Sequence, residues 1–155
     1  GNYEAAIEML KQAIEQEPQS QILRIDLADV LLMADDVEAG KSVLKDIPLD
    51  IPERNRPETR LSMIEEAQGL RSLSDLQELQ ITNENDLSIK YELSILYALS
   101  GDYELALNQA LEMLKIDRSY EDDLGRITML RIFDLRKKGD QLVSQFRRKM
   151  FNHLH

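Results

Sequence analysis

Residues 87–119 read LSIKYELSILYALSGDYELALNQALEMLKIDRS, and the spacing of their apolar and small side chains decides the fold. Two runs with helical periodicity are separated by Gly101-Asp102-Tyr103, which forms a turn, so the stretch is one helix–turn–helix unit of about 34 residues. Leu93, Tyr97 and Leu107 are placed to fill the groove of a partner helix. Ser94, Ala106 and Ala110 are small enough to let two helices approach closely. Such a unit cannot bury its apolar face alone, and the rest of the chain must supply more of the same kind.

Composition agrees. The chain has 155 residues, 43% of them hydrophobic, and only four prolines and six glycines interrupt a sequence rich in good helix formers. An all-α domain with a substantial core follows. The longest apolar run, Val30 to Ala34, is far too short to span a bilayer, so no membrane is expected as a partner. No secretory signal opens the chain. With no cysteine there is no disulfide, no redox dithiol and no thiolate metal ligand. A net charge of −10 disfavours nucleic acid, whose non-specific affinity rests on neutralising phosphates. That charge is uneven: residues 136–155 carry six Lys and Arg against one acid, a local +5, while the other 135 residues sum to −15.

Working outward from residue 101, the same pattern returns. Gly1-Asn2-Tyr3 matches Gly101-Asp102-Tyr103, and Glu4 to Glu17 repeats the second helix, so the chain starts half-way through a unit. An appended glycine fits position 1 equally well. Ser20 caps a helix from Gln21 to about Ala34, Asp35-Asp36 makes the next turn, and Val37 to Ile47 is the paired helix, with Gly40 at the small position. Pro48, Pro52 and Pro57 break the pattern, giving an irregular connection over 48–56. Residues 57–82 stay helical, from Glu58 to Leu70 and from Ser74 with a Ser74-x-x-Gln77 capping box, but keep few small residues. This is a degenerate repeat. Asp35 and Gly101 lie 66 residues apart, close to two periods. Period and positions together resemble tetratricopeptide repeats. The expected fold is therefore a tetratricopeptide-like α-α superhelix of antiparallel helix pairs over 1–118, with a C-terminal helical-pair cap over 119–155. In that cap Ser119 and Asp122 start a helix that runs to about Lys138, Gly139 ends it, and Asp140 starts the last one. On the last helix Leu142, Val143, Phe146, Met150 and Leu154 share one face, expected to bury against the 119–138 helix, with Arg147 and Phe151 at its edge.

Chemistry is hard to find in this sequence. His153 and His155 stand at the chain end without carboxylates spaced to join them, so no metal or other cofactor is expected. Asp122 and Asp123 are adjacent and do not face each other as an acid pair. The dispersed glycines form no phosphate loop, no interior histidine is available to activate a serine, and no small-molecule substrate suggests itself. An enzyme is not expected. Tyr91, Tyr97, Tyr103 and Tyr120 are candidates for a peptide groove, although packing already accounts for Tyr97 and Tyr103. Repeats that grip a C-terminal carboxylate present Lys, Arg and Asn on the groove side of their first helices. Here those places hold Ile25, Asp26 and Asp29, then Tyr91, Glu92 and Ile95, which repel a carboxylate.

Residues 37–49, VEAGKSVLKDIPL, the degenerate middle, the Gly101 unit and the run from Gly139-Asp140 to Phe146-Arg147-Arg148-Lys149-Met150-Phe151 together resemble a particular group. These features are similar to the C-terminal region of YbbN-type bacterial thioredoxin–tetratricopeptide co-chaperones, the chaperedoxins (CnoX). The resemblance implies a cytoplasmic holdase in which an upstream thioredoxin-like domain, absent from this sequence, precedes the helical array. It also implies unfolded client proteins as partners and hand-over to the GroEL chaperonin under oxidative stress. The family's C-terminal helix is implicated in that docking, which places Phe146, Arg147, Arg148, Met150, Phe151 and Leu154 near the contact. The alternative is a passive scaffold that presents the thioredoxin-like domain to one fixed partner and holds no client.

Overall fold

The computed structural model describes residues 2–154, which contain nine α-helices, one short 3-10 turn and no strand. Gly1 and His155, including the match of Gly1 to Gly101, lie outside the described residues. The chain divides into two compact units, residues 1–62 and 63–155.

In the first unit α1 (Tyr3–Gln16) starts at Asn2, whose side chain accepts from the Ala5 N–H at 3.3 Å. Ala6, Leu10 and Ala13 are half-buried where α1 meets α2 (Gln21–Met33), while Met9 stays 70% exposed. Ser20 caps α2 as the sequence requires, and the turn to α3 (Val37–Lys45) is made by Asp35, in the left-handed region at φ 66°. Asp36 then accepts from the Ala39 N–H. Gly40 sits where the two helices cross: a Cβ there would lie 2.7 Å from Leu32 Cδ2 and 3.3 Å from the Ala28 carbonyl oxygen. The core is Ile25, Ala28, Leu44 and Ile47, flanked by Val43, Ile51 and Leu61. α3 is only nine residues long, and its open C-terminal carbonyls would be orphans near this core. Arg54, on the 3-10 turn Pro52–Arg54, donates to the Leu44 and Ile47 carbonyls. The proline-rich connection is thus a side-chain cap for α3.

α4 (Asn55–Ala67) begins in the first unit and ends in the second. The second unit continues with α5 (Leu73–Thr82), α6 (Leu87–Leu99), α7 (Tyr103–Ile116), α8 (Leu124–Asp134) and α9 (Gln141–Leu154). α5 starts two residues before the expected capping box, because Ser72 rather than Ser74 accepts the first free amide, that of Asp75 at 3.2 Å. α6 and α7 form the hairpin read from residues 87–119, with Gly101 at φ 83° in its turn. Leu76, Ile89 and Leu93 form one core between α5 and α6. A larger one gathers Ala106, Leu107, Ala110 and Leu114 of α7 with Met129, Ile132 and Phe133 of α8 and Phe146 of α9.

The C-terminal helices correct two expectations. Ser119 and Asp122 do not start α8: Ser119 donates to Asp117, and Glu121, Asp122 and Asp123 carry φ of 47°, 56° and 65°, which no right-handed helix contains. The helix opens at Leu124 and stops at Asp134, so Arg136, Lys137 and Lys138 lie in the connection that Gly139 closes at φ 86°. Asp140 does cap α9, accepting from the Val143 N–H at 3.2 Å. The second concerns packing: the inner face of α9 meets α7 as well as α8, with Phe146 in one core beside Met129, Ile132 and Phe133 of α8, and α8 itself lies against α7. Gly125 of α8 explains the closeness of that last contact, since a Cβ there would meet the Leu114 nitrogen at 3.0 Å.

Candidate functional site

α9 separates into two faces. Phe146 is 1% exposed and enters the core, and Leu142, Val143, Met150 and Leu154 are half-buried against it. Arg147, Arg148 and Phe151 lie on the exposed side, Phe151 at 60%. Cations are laid on rings along this helix: the Arg147 guanidinium stands 4.9 Å from the centre of the Phe133 ring of α8, and the Lys149 ammonium 4.5 Å from that of Phe146. Such contacts hold a charged head in place without consuming it. At the base of the helix Arg136 covers the Tyr103 ring at 4.5 Å and donates to Asp140 at 2.7 Å. Burial raises the Asp140 pKa, yet the Arg136 hydrogen bond and the Val143 and Leu142 amides win and hold it below the ordinary carboxylate value. His153 is on the exposed side of the last turn. Among the described residues no group of three or more His, Asp or Glu is placed to hold a metal.

The groove-side positions are engaged within the fold. In the first unit Arg56 donates to Asp26 at 2.6 Å and to Asp29 at 2.9 Å, and Arg60 donates to Asp29 at 2.6 Å. Asp29 and Arg60 are each 4% exposed at the side chain. In the second unit the Arg71 backbone N–H and Nε donate to Glu92 at 2.9 and 3.2 Å. The Arg71 hydrogen bond, opposed by partial burial, leaves Glu92 below the usual carboxylate range. Tyr91 donates to the Glu66 carboxylate, and Arg131 donates to Tyr91 Oη at 3.3 Å and to Glu66 at 3.1 Å. Burial first, then the hydrogen bond to Glu66 and its charge, push the Tyr91 phenol up to about 12. Tyr91, a groove candidate from its spacing, is tied to its own unit instead.

These helix hairpins, with small residues at their crossings, agree with the comparison to known families: tetratricopeptide-repeat families match residues 1–58 and residues 66–155. The chain belongs to the tetratricopeptide-repeat family. The repeats reach through α8 and α9, which fall inside the second match. No curated protein matches this tetratricopeptide chain. Among solved structures it is similar to a domain of protein VP0806, of unknown function, from Vibrio parahaemolyticus. The identity is 21% and the TM-score 0.50, over 100% of this chain and 92% of that one, a likeness of fold alone. Tetratricopeptide repeats are protein-interaction modules, typically without catalytic activity of their own, and no helix among the described residues is long and apolar enough to cross a membrane.

Sequence reasoning placed the α9 residues but missed Arg54, Arg56, Arg60 and Arg71. For Arg56 and Arg60 a signal was present: they are four apart on one helix, as Asp26 and Asp29 are three apart on another. Nothing in the sequence says that those two faces meet.

Proposed function

We propose that this tetratricopeptide array is the interaction module of a bacterial, cytoplasmic thioredoxin–tetratricopeptide co-chaperone. In this reading a thioredoxin-like domain stands upstream, residues 119–155 cap the array, and unfolding clients are held and passed to the GroEL chaperonin under stress. The observation that carries the docking element is the exposed strip of Arg147, Arg148 and Phe151 on α9, in a tail of local charge +5 on an otherwise acidic chain. Phe146, Met150 and Leu154 belong to the same helix but support that strip from the core side. Chaperonin binding of the parent is compared with that of Arg148→Glu/Phe151→Ser, after circular dichroism confirms equal helix content. A tenfold or greater loss is expected, and unchanged affinity moves docking off α9. The scaffold reading is favoured by a separate observation: Asp26, Asp29 and Glu92 are paired internally, which leaves their faces polar and poorly suited to an unfolded apolar client. Suppression of aggregation of a denatured client by the purified chain distinguishes the two, since a pure scaffold gives none.

A further inference from the structure

A second polar site lies away from α9, in an open groove of about 500 Å³ formed by α5, the turn after it, α6 and α7. Pockets of this volume suit ligands of a few linked groups. Its floor holds Lys90, 6% exposed. Among the described residues the Lys90 ammonium has neither a hydrogen bond nor an ion pair. The position 66 residues earlier is Arg24, which donates to the Pro18 and Ser20 carbonyls of the connection before its helix. The cation at this repeat position is therefore satisfied internally in the first unit and left open in the second. The stem of Lys90 is buried and its ammonium opens on the groove, so its charge is available there to a ligand carboxylate.

The walls define what that ligand carries besides. Gln80 and Gln109 hydrogen-bond to each other across the groove, at 2.9 and 3.3 Å, and each amide keeps a donor and an acceptor for a peptide main chain. Glu84 and Glu112, both exposed, stand at the rim with no ion pair among the described residues. Two rim carboxylates repel a highly charged anion such as a phosphate, whereas they favour Lys or Arg beside a single carboxylate. Ile81, 78% exposed, adds an apolar shoulder. We propose that this groove binds an extended segment of a partner protein in which one Asp or Glu, flanked by basic residues, pairs with Lys90. The main chain of the segment meets the Gln80–Gln109 pair, and its basic residues meet Glu84 and Glu112. This site shares no residue with the α9 strip, so either can fail without the other.

The test is selection of a randomised heptapeptide library on the whole chain, with parallel selection on Lys90→Met, which keeps the stem and removes the charge. Enrichment of an acidic residue with basic neighbours is expected on the parent, with at least tenfold weaker binding of the selected peptide to Lys90→Met. Amide shifts on adding that peptide should concentrate at residues 77–84, 90 and 108–112. A second variant, Glu84→Gln/Glu112→Gln, should weaken the same peptide several-fold while leaving unaffected an analogue whose basic residues are replaced by Gln. No enriched peptide, equal binding to Lys90→Met, or shifts confined to α9 would overturn the proposal.

Discussion

The α2–α3 and α6–α7 hairpins stand 66 residues apart in register, yet equivalent positions meet the same requirement with different residue types. In the first, the left-handed turn residue is Asp35 and the crossing residue is glycine, Gly40; in the second the turn residue is Gly101 and the crossing residue is Ala106. The same exchange occurs on the groove side. Ile25 and Asp29 of α2 correspond to Tyr91 and Ile95 of α6, so the polar group has moved by one helical turn. Asp26 and Glu92 are equivalent, but Asp26 is held by Arg56 of helix α4 and Glu92 by Arg71 of the connection between α4 and α5. A repeat therefore conserves a geometry, and the residue that meets each requirement depends on what the neighbouring segment offers.

The sharpest way to break this comparison is Asp29→Ala. It takes a buried carboxylate from Arg60 and one of two carboxylates from Arg56, so a loss of about 3–5 kcal/mol is expected in urea unfolding. Glu92→Gln, at a half-exposed pair, should cost less than about 1 kcal/mol. Equal losses would mean that the two units use their ion pairs alike.

Next come the glycines. Gly40→Val should cost about 1–3 kcal/mol through crowding, because the Ala28 carbonyl is backbone and cannot step aside. Gly101→Val should cost about 1–2 kcal/mol through the left-handed backbone, with open space around it. Asparagine separates the two causes: Gly101→Asn should recover most of the loss and Gly40→Asn none, as thermal melts will show.

Smaller still is the alkaline response of the second unit. Tyr91 stays protonated in the fold up to about 12, above the ordinary value of 10.0. The unfolded chain ionises first, so stability is level below pH 10 and declines as pH rises from 10 towards about 12. Amide exchange in α6 at pH 9 and 11 should register this decline, and Tyr91→Phe should abolish it. At the acid end the sign reverses for Glu92. Its contribution is present above the ordinary value of 4.5 and fades as pH falls below it. The smallest effect belongs to Asp35→Gly, which relieves a left-handed aspartate and should raise the melting temperature by no more than about 1 kcal/mol allows.

Local signals in the sequence settled the helix starts at Ser20 and Asp140, which accept a first-turn amide where a short polar side chain precedes an apolar period, and Asp36 and Asp86 prove to do the same. The hairpin turns and the small residues at crossings were equally legible, since backbone sterics act within a few residues. Ser119 failed as a cap because three acidic residues in a row take the left-handed region before α8, and tertiary packing rather than capping chemistry sets where that helix begins. The outward placement of Arg147, Arg148 and Phe151 followed from the period of α9, but the Phe133 ring under Arg147 did not. What the chain determined by itself was the repeat: its period, its turns and its all-α character. Only the tertiary structure decided that Arg54 caps α3, that Arg56 and Arg60 neutralise Asp29, and that Lys90 is left open where Arg24 is satisfied. The physical reason is reach: a cap or turn is decided by neighbours in sequence, whereas the partner of a buried charge arrives from a distant segment whose approach no local pattern encodes.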